Sequence, residues 1–131
     1  MSKTPITLID TNIIVRFLIG DGGNLYHQAK EIMDSIESGR LRVHLCESVL
    51  AEVVYVLLKV YTVSKKDIGN ALGKILQIKS IQMDNKSVAL NALYLFVNEN
   101  VDFVDALLIS YNKNTNAAIL SFDKKINAKL K

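Results

Sequence analysis

Residues 6–12 read Ile6-Thr7-Leu8-Ile9-Asp10-Thr11-Asn12. A short apolar, partly β-branched run follows Pro5, stops on an acid and gives way to a helical pattern over Asn12–Ile19. This predicts a first strand over Ile6–Ile9, then a helix with Asp10, Thr11 and Asn12 as capping candidates. The same grammar recurs near the far end. Ala117-Ala118-Ile119-Leu120-Ser121-Phe122 predicts a buried strand, closed by Asp123 and followed by a basic segment from Lys124. Leu41–Cys46 and Ser80–Met83 predict two further strands. Helical periodicity fills the gaps. Asn24 caps a stretch with Ala29, Ile32, Met33 and Ile36 on one face, ended by Gly39. Leu50, Val53, Val54, Leu57, Leu58 and Tyr61 make Val49–Tyr61 the strongest helix. Ser64 with Asp67 resembles a capping box and opens a helix through Ile68, Leu72, Ile75 and Leu76. Asp84 starts another, and Phe103–Tyr111 is a third. Short strands alternating with helices predict an α/β domain whose mostly parallel sheet is covered on both faces. In such sheets, sites lie beyond the carboxyl ends of the strands. Asp10 and Asp123 stand at two such ends.

The chain has 131 residues, half of them hydrophobic and 22% charged. With one proline and six scattered glycines, it fits one domain over residues 1–131, with no linker or internal repeat. A single cysteine forms no internal disulfide, which favours a reducing cytoplasm. The N-terminal residues have no signal-peptide pattern, and apolar runs are interrupted well before a membrane span's length. The net charge of +3 is only weakly basic. Setting aside four acids at apolar edges leaves 16 cations against 9 acids, or +7. An acidic pocket in a basic body suits a metal-dependent enzyme acting on a polyanion.

Those four acids are Asp10, Glu52, Asp105 and Asp123. Val49–Leu58 reads VLAEVVYVLL, in which Glu52 is the one polar residue of ten. A helix apolar nearly all round is expected to be buried, and a carboxylate there costs several kcal/mol, to order of magnitude, unless paired or metal-bound. The plainer reading is that Glu52 reaches the rim or pairs with a Lys or Arg. Asp102 and Asp105 lie three apart at a helix start, where both can serve as capping acids. Asp10 and Asp123 can equally be caps, and Asp123 can pair locally with Lys124 or Lys125. Ser121 is placed to donate into the same site. Four carboxylates brought together repel one another unless a cation lies between them. Mg²⁺ or Mn²⁺ suits that donor set, and one or two such ions can act on a phosphodiester. Other chemistries fit poorly. His27 and His44 have no ligand-like spacing, Cys46 reads as a small buried hydrophobe, and no P-loop, GxGxxG or GxSxG is present.

Ile9-Asp10-Thr11-Asn12, Ala51-Glu52-Val53-Val54-Tyr55-Val56-Leu57, Asp102-Phe103-Val104-Asp105-Ala106-Leu107-Leu108 and Ser121-Phe122-Asp123 together resemble the PIN-domain family, and closely its small VapC-like toxin branch. The resemblance spans essentially the whole chain. It implies a three-layer α/β/α fold with a central, mostly parallel sheet of about five strands, within the usual sheet size. It implies a metal-dependent endoribonuclease using Mg²⁺ or Mn²⁺, with Asp10, Glu52, Asp105 and Asp123 at the acidic metal positions. Thr11 and Asn12 match supporting positions, and Asp102 an often acidic neighbour. The resemblance further implies a homodimer and a cognate antitoxin that inserts into the active-site groove. Arg16, Lys59, Lys124 and Lys125 are candidates to hold the RNA backbone. A haloacid-dehalogenase-like phosphatase wants a second Asp where Asn12 stands. A receiver domain wants an acid after an apolar third strand, which Asp84 does not follow. A non-cleaving PIN-like module that binds RNA or protein, or a housekeeping RNA-processing nuclease, remains the alternative.

Overall fold

The computed structural model describes residues 5–131. Helix α1 (Thr11–Ile19) begins on extended Asp10 and stops at Gly20, whose φ of 63° lets its N–H close back on the Arg16 carbonyl. Helix α2 (Asn24–Glu37) buries Ala29, Met33 and Ile36, the face that the periodicity marks. Strand β1 (Val43–His44) leads into α3 (Glu47–Tyr55). The backbone then widens into a π-helical turn, Val56–Val60, within the single helix predicted from the pattern. Ser64 caps α4 (Lys65–Leu76), its hydroxyl accepting from the Asp67 N–H at 3.1 Å. Strand β2 (Ile81–Gln82), α5 (Lys86–Asn98), α6 (Phe103–Thr115) and α7 (Lys124–Lys129) complete the order.

The strands β1 and β2 pair in parallel, Val43 beside Ile81 and His44 beside Gln82. Leu8 adds a parallel bridge to His44, with the His44 N–H donating to the Thr7 carbonyl at 2.7 Å. Chain segments 6–9, β1 and β2 therefore lie side by side in that order. Val43 and Ile81 face the core, whereas Leu8 and Gln82 in the neighbouring row are exposed. This row turns one face of the sheet toward solvent, where covered faces are expected from the sequence.

The described residues thus carry two paired strands and one bridge, not the five strands expected. Ala117–Phe122 is the main departure. It is extended but unpaired, and Leu120 and Phe122 are 99% and 106% exposed. The reason lies in its carbonyls. The Asn112 amide donates to the Ala117 carbonyl and the Asn127 amide to the Ser121 carbonyl, each at 2.9 Å. Side chains of the flanking helices, rather than a neighbouring strand, take up these two carbonyls.

Helix α5 packs between α4 and α6. Phe96 meets Phe103 edge-on with centroids 5.9 Å apart, and the Lys65 ammonium lies 4.7 Å over the Phe96 ring. The same ammonium donates to the Val101 carbonyl at 3.3 Å, tying the start of α4 to the loop that launches α6. The buried Ser110 hydroxyl donates to the Val88 carbonyl at 2.8 Å, fixing α6 against α5. Lys86 donates to the carbonyls of Ile78 and Ile81, which anchors α5 to β2; burial holds its ammonium below the ordinary lysine range.

Two glycines of α4 test this packing with opposite signs. A Cβ on Gly69 would stand 2.3 Å from a Val97 methyl, whereas one on Gly73 would meet nothing within 4 Å. Gly69→Ala should destabilise by about 1–3 kcal/mol through overpacking. Gly73→Ala should stabilise by about 0.5–1 kcal/mol through helix propensity. Urea unfolding of both variants is the check; equal shifts would refute the close α4–α5 approach.

Candidate metal and nucleic-acid site

Asp10 and Thr11 share the turn where segment 6–9 becomes α1. The Asp10 carbonyl accepts from the Ile13 N–H at 3.2 Å, but its side chain makes no capping bond. The carboxylate is exposed and uncommitted. Thr11 is 5% exposed, and its hydroxyl donates to Glu52 Oε1 on α3. Helix α1 packs on α3, so this bond locks one carboxylate oxygen of Glu52 in orientation beside Asp10.

Glu52 is exposed, not buried. Helix α3 shows solvent the positions of Ser48, Glu52 and Tyr55, and Lys59 continues that face into the π-helical turn. The expectation of a desolvated carboxylate is corrected accordingly. Its apolar sequence neighbours Val53 and Val54 are buried, while Tyr55 is 62% exposed. Glu52 reaches the rim, yet among the described residues no Lys or Arg pairs with it.

Asp102 and Asp105 sit at the start of α6. Asp102 occupies the N-cap without a side-chain capping bond. Asp105 is half-buried, and its carboxyl is raised above the usual 3.8, first by burial and then by the negative charges of Asp102 and Asp123. Asp123, at the N-cap of α7, uses Oδ1 to accept from the N–H groups of Lys125 (2.8 Å) and Ile126 (3.1 Å). It is therefore a cap, as the plainer reading has it, and its charge still reaches Asp105. Ser121 accepts from the Asp123 N–H at 2.9 Å and so shapes this turn. Ala51, Tyr55, Lys59, Asp102 and Asp105 line one groove of about 300 Å³, which joins the Glu52 helix to the start of α6.

The structure thus links Thr11 with Glu52, and Asp102 with Asp105 and Asp123. It does not bring Asp10, Glu52, Asp105 and Asp123 into one tight cluster. Among the described residues, no three His, Cys, Asp or Glu side chains stand close enough to hold an ion together. The chemistry of the donor set nevertheless fits a hard divalent cation. Five carboxylates, those of Asp10, Glu52, Asp102, Asp105 and Asp123, have no ion-pair partner among the described residues. One of them already has its proton affinity raised by two others.

Of the supporting residues, Asn12 is exposed and lines a small groove with Arg16 between α1 and α2. The Arg16 guanidinium is taken up by Asp21 at 3.2 Å. Lys59, Lys124 and Lys125 are exposed and make no ion pair among the described residues. The sequence reading missed a polar cluster around Glu47 and Tyr111. These residues are 64 positions apart, and no spacing pattern joins them.

The PIN domain family model matches residues 7–129, and the chain belongs to that family. No curated protein matches it. PIN domains are nuclease-type α/β folds, generally hydrolases and commonly metal-dependent ribonucleases.

The raised Asp105 carboxyl has a thermodynamic consequence. A carboxyl whose pKa rises on folding favours the folded state at low pH, and that contribution is lost as pH climbs through its folded value. Ionised Asp105 therefore weakens the fold at neutral pH. In metal-free buffer, Asp105→Asn should unfold at higher urea than the wild type near pH 7. The gap should close as pH falls below about 4, the ordinary Asp range. A variant less stable than wild type at pH 7 would contradict the repulsion.

Proposed function

We propose that this protein is a metal-dependent endoribonuclease, and that it is the toxin of a toxin–antitoxin pair. The observation that supports this most is the set of unpaired carboxylates arranged around the Thr11–Glu52 bond and the start of α6, in a chain of the PIN family. Asp10, Glu52 and Asp105 would hold Mg²⁺ or Mn²⁺, with Asp123 contributing charge from its cap. A cation bound there neutralises charge on the phosphodiester and activates a water for hydrolysis.

This chain's own residues prepare that chemistry. Thr11 fixes the Glu52 carboxylate with one oxygen occupied, leaving the other free to face a ligand. Asp105 binds a proton more tightly than an ordinary Asp, so a cation must compete with that proton, and loading improves as pH rises. Lys59 borders the groove shared with Asp102 and Asp105, and Lys124 and Lys125 follow Asp123 directly. These three cations would hold the RNA backbone. Arg16 would first have to release Asp21. A homodimer and a cognate antitoxin belong to this reading, and exposed Ile6, Leu8, Leu120 and Phe122 are candidates for the surface they would cover.

Purified wild type should cut RNA in Mg²⁺ or Mn²⁺ and stop in EDTA. Asp10→Asn and Glu52→Gln should each lower the rate at least about a hundredfold while leaving the fold intact. Thr11→Val should lower it about ten- to a hundredfold, as expected when a residue orienting a ligand is lost. Glu52→Gln at wild-type rates would refute the metal assignment. No cleavage by any form, with RNA still bound, would favour a non-cleaving RNA-binding module. For the toxin role, expression of the wild type should arrest bacterial growth and Asp10→Asn should not.

A further inference from the structure

The register that sets Leu8 beside His44, and His44 beside Gln82, carries on two residues to the carboxyl edge of the sheet. Asp10, Cys46 and Asp84 each follow that row by two residues, where the three segments leave the sheet at the same end. At that end of the row opens a cavity of about 200 Å³. It is large enough to admit a small ligand rather than a single water.

Its lining comes from three parts of the chain. His44 and Cys46 leave β1, Asp84 and Asn85 leave β2, and Tyr111 reaches in from α6. The Tyr111 hydroxyl donates to Glu47 Oε2 at 2.6 Å and accepts from the Asn85 amide at 3.4 Å. The bond to Glu47 holds the tyrosine proton in place, raising the hydroxyl above its ordinary range. These bonds fix one wall. Asp84 stands at the rim, and among the described residues neither of its oxygens makes a hydrogen bond; His44 Nε2 lies 3.8 Å away. Among the described residues, no Lys or Arg lines the cavity. A phosphate would find no counter-charge there, whereas a neutral ring carrying N–H donors would find acceptors and the rings of His44 and Tyr111.

We propose that this cavity is a base-binding subsite selective for guanine. Guanine alone among the four RNA bases presents two adjacent donors, N1–H and the exocyclic amine, to one carboxylate. Asp84 supplies the matching pair of acceptor oxygens. Such bidentate pairing discriminates strongly against the wrong base, and unstacked RNA bases are read in this way beside His and Tyr rings. The subsite would seat a guanine flanking the cleaved phosphate. That last step rests on the ribonuclease reading; the binding itself does not.

The test has two arms. In the first, guanosine 5′-monophosphate and its adenosine, cytidine and uridine counterparts are titrated in EDTA into ¹⁵N-labelled wild type and Asp84→Asn. The guanine nucleotide should shift the amides of His44, Cys46 and Asp84 with at least about tenfold higher affinity than the others. Asp84→Asn, an exposed position whose variant should keep the wild-type melting temperature, should erase that margin. In the second arm, RNAs randomised around the cut are digested in Mg²⁺. Wild type should favour guanine at one flanking position, and Asp84→Asn should lose the preference while still cutting. Equal binding of all four nucleotides, or shifts confined to other surfaces, overturns the proposal even if RNA is cut. Selective guanine binding without any cleavage upholds the subsite and counts against the ribonuclease reading instead.

Discussion

Thr11 donates its hydroxyl to Glu52 across 41 residues of chain. The donor is buried in the first turn of α1, and the acceptor stands on the open face of α3. The arrangement of Asp10 and Glu52 depends on this bond. It fixes where the first strand segment delivers Asp10 relative to the second strand's helix. It also commits one oxygen of Glu52, so the remaining lone pairs have a defined direction. Without it, Glu52 would be an exposed glutamate free to sample solvent, and its exposure would carry no meaning.

The second constraint is electrostatic. Asp102, Asp105 and Asp123 gather where α6 starts and where α7 is capped, and burial first, then the charges of Asp102 and Asp123, raise the proton affinity of Asp105. The four ion pairs among the described residues lie elsewhere, on Asp21, Asp34, Asp84 and Glu99. Asp10, Glu52, Asp102, Asp105 and Asp123 have no ion-pair partner among the described residues, and Asp102 and Asp105 concentrate negative potential in the groove they line. The lysines beside it, Lys59, Lys124 and Lys125, surround that potential with positive charge. The pattern suits a polyanion held at the rim and a cation at the centre.

Much of this was legible in the chain. Ser64 and Asp67 announce the start of α4, and Gly20 the end of α1, because caps and left-handed stops are local chemistry. The helix faces of α2 and α4 follow their spacing. Burial was harder to read. Glu52 looked enclosed because its neighbours are apolar, yet Tyr55 stands in solvent on the same face. Ala117–Phe122 looked like a buried strand because an unbroken apolar run carries no sign of what will satisfy its backbone. Here Asn112 and Asn127 do so, and Leu120 and Phe122 are left outward. The π-helical turn over Val56–Val60 and the Tyr111–Glu47 contact are products of tertiary packing, which no local pattern encodes. The acids themselves were found by position, but their separation was not.

The central proposal is that Asp10, Glu52 and Asp105, which do not form one tight cluster here, would close on one divalent ion. Paramagnetic Mn²⁺ tests it directly. Substoichiometric Mn²⁺ added to ¹⁵N-labelled protein should broaden the amides of residues 10–12, 51–53 and 102–106 first, with weaker effects near Asp123. Helix α4 and the outer part of α5 should stay sharp. Broadening spread evenly over surface acids, or centred on Asp21 or Asp34 while the amides around Asp10, Glu52 and Asp105 stay sharp, would contradict it.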